Sequence, residues 1–129
     1  MVTDGVRIGL IGMGGMGSTH GHYLSERKVP AAVLTAITDA SPARMDWVAE
    51  SYPDVTRFDT ADDLLGSGSV DAVIVATPHY FHPPLAIQAI ESGHHVLIEK
   101  PAGVYTKQVH EMNAVAAKSG LVFGMMLNQ

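Results

Sequence analysis

The segment "VRIGLIGMGGMGS", residues 6–18, decides how the chain folds: a run rich in Val, Ile and Leu passes directly into six residues of which four are glycine. Gly12, Gly14 and Gly17 stand in the spacing G-x-G-x-x-G, after a strand-like run and at the start of a stretch, residues 15–27, that reads as helix. Each glycine has a physical task in that setting. Gly12 permits the tight turn, Gly14 lets the main chain approach a pyrophosphate with no side chain between, and Gly17 lets the helix pack closely on the strand. Phosphates would then meet unpaired N–H groups and the positive end of a helix dipole. The spacing alone also suits a purely structural turn. The next strand-like run argues against a turn alone: "VLTAITD" (33–39) ends in Asp39, 22 residues after Gly17. This is close to the roughly 20-residue separation at which an acid hydrogen-bonds an adenosine ribose. Strand, glycine turn, helix, strand and acid in this order read as a dinucleotide site.

Working outward, short Val- and Ile-rich runs alternate with longer helical patterns. The strand candidates are 6–12, 33–39, 71–77 ("DAVIVAT"), 95–100 ("HVLIEK") and 121–126 ("LVFGMM"), with a weaker one at 55–59. Residues 15–27, 41–52, 81–93 and 105–120 read as helices, the last two closing on Gly93 and Gly120. Ser41–Pro42 makes a cap and first-turn pair, and Thr60 with Asp63 resembles a capping box. Continuous apolar runs imply strands covered on both faces. The expected fold is therefore α/β, a Rossmann-type doubly wound parallel sheet in three αβα layers, with residues 1–129 forming one dinucleotide-binding domain. The sequence stops at Asn128 and Gln129 straight after its last strand, so a further C-terminal domain is expected beyond it.

Composition narrows the function. The 129 residues are 47% hydrophobic and carry a net charge of −5, so no basic surplus exists to neutralise nucleic acid or an anionic membrane. Apolar runs fall short of the roughly 20 residues of a membrane helix, and the first ten residues do not form a signal peptide. The absence of cysteine excludes disulfides and thiolate chemistry. These features describe a soluble, cytoplasmic domain with a small-molecule partner.

Two strands, "DAVIVATP" and "HVLIEKP", end at Pro78 and Pro101, which cannot extend a central ladder. In a parallel sheet both ends lie at the edge that carries the glycine turn and Asp39. Topology thus gathers Thr77, Pro78, His79, His82, Glu99 and Lys100 toward one crevice. Met13, Gly15 and Met16 belong to the glycine turn, and the two methionines either pack near the pyrophosphate or fill core. Asp39 favours the free ribose hydroxyls of NAD over the 2′-phosphate of NADP, with Arg44 one helical turn on as a partial offset. The bland alternative is an Asp39 that only starts a turn. The histidines do not converge as metal ligands do: His20 and His22 face different ways on a helix, and His94 and His95 precede a strand at the far edge. No metal is expected.

"GLIGMGGMG", "DAVIVATPHYFH" and "GHHVLIEKPAG" together resemble the cofactor-binding half of the Gfo/Idh/MocA oxidoreductases, named for glucose-fructose oxidoreductase and inositol dehydrogenase, over essentially the whole chain. The E-K-P signature is the most specific part. The resemblance implies an NAD(P)-dependent oxidoreductase acting on a sugar, cyclitol or related polyol. It implies that Lys100, the expected catalytic residue, lies beside the substrate hydroxyl, and that Glu99 helps bind the nicotinamide ribose. A cis Lys100–Pro101 bond is implied as well. So are an Asn128 that contacts cofactor, a general base from a second domain, and a full-length homo-oligomer. His79 departs from the asparagine usual in relatives, whereas His82 matches. The alternatives are a nonenzymatic dinucleotide-binding regulator of the same fold and a structural domain with a vestigial pocket.

Overall fold

The structure, a computed structural model, describes residues 5–127. Six parallel strands alternate with five helices. They are β1 (Val6–Ile11), α1 (Gly15–Ser25), β2 (Ala32–Thr38), α2 (Pro42–Ser51), β3 (Thr56–Arg57), α3 (Ala61–Gly66), β4 (Ala72–Val75), α4 (His82–Glu91), β5 (His95–Ile98), α5 (Thr106–Ser119) and β6 (Phe123–Met125). The sheet order is β3-β2-β1-β4-β5-β6, the doubly wound arrangement whose direction reverses between β1 and β4.

Burial explains why these runs are strands. Successive side chains point to opposite faces, and both faces are covered. Leu10, Ile37 and Ile74 pack with Leu24 and Val48 of α1 and α2 on one side. Ile11, Ala36, Val73, Val75 and Ile98 pack with Leu64, Ala86, Ala89 and Met112 of α3, α4 and α5 on the other. The expected three-layer α/β fold is the one observed.

The strands end earlier than the sequence expectation because each stops where its pairing stops. Thr38, Ile11, Val75, Ile98 and Met125 are cross-strand partners in sequence along the sheet. The residues next in the chain, Asp39, Gly12, Ala76 and Glu99, therefore leave the sheet at one level. Asp39, Thr77, Glu99 and Lys100, expected at strand ends, stand just beyond the ladder. The helix α3 was signalled only by its cap: Thr60 Oγ1 accepts from the Asp63 N–H at 3.0 Å. Ser41 caps α2 in the same way, through the Arg44 N–H at 3.3 Å. Trp47, in α2, keeps 39% of its surface exposed and meets Tyr52 edge-on.

At the opposite end of the sheet, Arg7 closes β1 onto the approach to β4. Its guanidinium donates to Asp71 at 2.8 and 3.1 Å, and its backbone N–H to the same carboxylate at 2.9 Å. These bonds hold the Asp71 carboxyl down to about 2. A carboxyl lowered by folding contributes stability that is complete above its unfolded value and is lost as pH falls from there through the folded one. Both side chains are more than a third exposed, so the contribution is small. Asp71→Asn is expected to flatten the fall in stability between about pH 4 and about pH 2. Urea denaturation at several pH values checks this; an unchanged acid limb would count against it.

Candidate functional site

The site begins where β1 becomes α1. Gly12 has φ +99°, and a Cβ there would stand 2.7 Å from the Ala76 carbonyl group. A Cβ at Gly17 would lie 1.9 Å from the Gly12 oxygen, so α1 rests directly on the turn. At Gly14 and Gly15, by contrast, a Cβ would meet nothing within 4 Å. Gly14 caps α1 with no side-chain bond to the first turn, unlike Ser41 and Thr60 in their helices. The first α1 hydrogen bond is Ser18 N–H to Gly14 O at 2.9 Å, which leaves the amides before it to face outward. The open glycines, free amides and helix N-terminus make a cradle of the kind that takes a phosphate.

Met13 corrects one expectation. Its side chain has no exposed surface and packs in the core with Leu24, Val48 and Tyr52, while its N–H is given to Asp39 Oδ2 at 2.6 Å. Its side chain takes the core alternative, and its N–H shapes the turn. Met16 is 40% exposed and lines a cavity.

Asp39 fills the turn role considered for it. Oδ2 fixes the turn through Met13, and Oδ1 accepts from the Ser41 N–H at 2.8 Å, which sets the entry to α2. Each oxygen keeps a second lone pair. The carboxylate lines a cavity of about 900 Å³ with Gly12, Gly14, Arg44, Thr77 and Pro78. The Arg44 guanidinium, on the exposed side of α2, makes no ion pair among the described residues.

A smaller cavity, about 250 Å³, is lined by Met16, Thr77, His79, His82, Glu99 and Lys100. The Glu99 N–H extends the ladder by one bond, to Val75 O at 3.0 Å, and its side chain turns inward, leaving the residue 5% exposed. Lys100 turns outward and makes no hydrogen bond or ion pair among the described residues, so the two adjacent charges do not neutralise one another. The Lys100–Pro101 bond is cis. Glu99 Oε1 instead meets His20 Nε2 of α1 at 2.6 Å. His20, considered from the sequence only as a metal ligand, is thus joined to the site through Glu99. Helical spacing held the signal, since His20 lies three residues after the buried Gly17 and so shares its face.

His82 is fully buried, with Nδ1 2.7 Å from Pro101 O and Nε2 2.9 Å from Thr77 O. Both neighbours are carbonyl oxygens, to which a ring N–H donates. His82 ties the loop after β4 to the loop after β5. Asn128 lies outside the described residues. Among those described, no three His, Asp or Glu side chains gather as a metal site would require, and no helix is long and apolar enough to cross a membrane.

A six-stranded parallel sheet of this order, with a glycine turn after β1 and an acid after β2, defines a Rossmann-type dinucleotide-binding domain. A family model described as "Oxidoreductase family, NAD-binding Rossmann fold" matches residues 6–127, and the chain belongs to that family, Gfo/Idh/MocA. Inositol 2-dehydrogenase of Corynebacterium glutamicum (strain R) is 34% identical over 100 residues, which cover 78% of this chain and 29% of the relative. The uncharacterized oxidoreductase YdgJ of Escherichia coli (strain K12) is 30% identical over 129 residues, covering 99% of this chain and 36% of the relative. Among solved structures, scyllo-inositol dehydrogenase from Lactobacillus casei with bound NAD(H) and scyllo-inositol superposes with a TM-score of 0.88 at 30% identity. That match covers 94% of this chain and 36% of the other. The chain thus spans roughly a third of the length of these proteins.

Two substitutions probe the geometry. Gly17→Ala drives a methyl into backbone and is expected to cost about 3 kcal/mol or more, seen in urea denaturation; a loss under about 1 kcal/mol would contradict the close contact. His82→Ala leaves the Thr77 and Pro101 carbonyls unpaired and is expected to cost about 2–4 kcal/mol.

Proposed function

We propose that the chain is the cofactor-binding part of an NAD-dependent dehydrogenase that oxidises a secondary hydroxyl of a cyclitol, sugar or related polyol. The observation that carries this reading is Lys100: an unpaired ammonium beside the small cavity, at the sheet edge that also carries the glycine turn and Asp39. The substrate class is supported by relatives named inositol 2-dehydrogenase and by the Lactobacillus casei structure with NAD(H) and scyllo-inositol.

The residues present fit a nicotinamide dinucleotide. Amide N–H groups at the start of α1 donate to the pyrophosphate, over the open space at Gly14 and Gly15. The free lone pairs of Asp39 accept the adenosine ribose hydroxyls, and its charge disfavours a 2′-phosphate that Arg44 offsets in part. Glu99 takes the nicotinamide ribose. When bound, the nicotinamide supplies the hydride acceptor. Lys100 donates a hydrogen bond to the reacting oxygen, orienting it and stabilising negative charge as the hydroxyl proton leaves. The proton acceptor comes from a second domain, which also carries the polyol site and the contacts of a homo-oligomer. A chain without cysteine suits a reducing cytoplasm.

Titration of the protein with NADH and NADPH by nicotinamide fluorescence tests the cofactor. Saturable binding is expected, roughly tenfold tighter for NADH because of the Asp39 charge. Arg44→Gln should widen that gap; tighter NADPH binding would overturn the assignment of Asp39. In the full-length protein, NADH production from inositols and related polyols tests the reaction. Lys100→Met is expected to lower kcat by about 10²–10³-fold while NADH affinity stays within about threefold. Binding without turnover of any polyol would favour the regulatory alternative.

A further inference from the structure

The pair His20–Glu99 joins the helix that begins at the glycine turn to the strand end that carries Lys100. It is the shortest His–carboxylate contact among the described ion pairs, at 2.6 Å, and its side chains are only 13% and 6% exposed. A carboxylate so withdrawn from water needs a partner. Through Nε2, His20 satisfies one oxygen of Glu99, while Glu99 still lines the small cavity.

We propose that His20 is a further residue of the nicotinamide subsite: a positioning residue that, through Glu99, sets the charge the subsite presents to the oxidised and reduced cofactor. The inference rests on the dinucleotide reading above. With an Nε2 proton, the hydrogen bond to Glu99 exists in both protonation states of the imidazole. Imidazolium and carboxylate together are neutral; imidazole and carboxylate carry one negative charge. The geometry is the same in both states while the subsite charge changes by one.

That difference acts on the ligand, because the oxidised nicotinamide ring is cationic and the reduced ring is not. The deprotonated pair favours the oxidised form, and the protonated pair removes the preference. By linkage, binding of the oxidised form releases a proton from the pair, and binding of the reduced form restores it. The other charged or titratable groups lining this cavity are His79, His82 and Lys100. His82 lies within hydrogen-bond distance of two carbonyls, and Lys100 makes no ion pair among the described residues. On α1 itself, His22 is exposed and turned to Glu26.

The test is the ratio of Kd for NAD⁺ to Kd for NADH, measured on the protein by calorimetry from about pH 5.5 to about pH 8.5, which spans ordinary histidine titration. The ratio is expected to fall roughly fivefold as pH rises. It should become independent of pH in His20→Gln, which keeps a donor to Glu99 without a titrating charge. Retention of the wild-type pH dependence in that variant would assign it to His79 or another group and overturn the inference, as would a flat ratio in the wild type. Nitrogen NMR of the wild-type imidazoles guards against misfolded variants: the His20 signal should be more protonated in the NADH complex than in the NAD⁺ complex at one pH. Equal signals would also overturn it. Failure of the wild type to bind either form would instead overturn the dinucleotide reading.

Discussion

The contact on which the site depends is the seat of α1 on the end of β1, where an atom added at Gly17 would lie 1.9 Å from the Gly12 oxygen. At that distance only hydrogen fits, so the helix is held against the turn by backbone alone. The effects run along the helix. Gly17, Gly21 and Leu24 share the buried face, and His20, one turn after Gly17, is carried to the β5 side, where it reaches Glu99. Before the helix, Met13 is forced inward and its N–H swings to Asp39. One close approach thus bears on the glycine turn, the orientation of Asp39 and the partner of Glu99.

Sheet topology supplies the rest. Because the last paired residues of β2, β1, β4 and β5 stand opposite one another, the residues next in the chain emerge as a row at one level. The order reverses between β1 and β4, so their connections diverge to opposite faces and leave a crevice. The larger cavity lies on the β2 side, around Asp39, and the smaller one on the β5 side, around Glu99 and Lys100. The glycine turn stands between, which matches the build of a dinucleotide: two nucleosides joined by a pyrophosphate. His82 keeps the two proline-bearing loops in step by bonding to a carbonyl on each.

What could be read in advance was what depends on short separations. Apolar runs marked the strands, and glycine spacing marked the turn because the turn is a backbone object. Asp39 was legible since the helix between it and Gly17 has a nearly fixed length. Strand ends were overextended, because pairing across the sheet, not the run of apolar residues, decides where a strand stops. The contact between His20 and Glu99 joins residues 79 apart and has no local signature. Met13 was ambiguous for a related reason: the side chain of a turn residue points inward or outward according to how closely the next helix packs. His82 was recognisable as part of the crevice, but its two carbonyl partners were not.

An acidic chain that binds a polyanion needs an explanation, and the glycine turn provides it. None of residues 12–17 carries a charge, and the net charge of the chain is −5. In the proposed reading, the phosphates are neutralised by amide dipoles and a helix terminus, which cost no basic side chain and exclude no neighbouring acid. Asp39 can then stand next to the turn, bonded to its Met13 N–H, and still discriminate at the adenosine ribose. Glu99 can likewise remain buried near the nicotinamide end because His20 answers its charge locally. The backbone holds what all such cofactors share, and the side chains at the two ends hold what distinguishes them. In that reading, specificity can change at Arg44 or His20 without disturbing the turn, whereas Asp39 also fixes the turn through Met13.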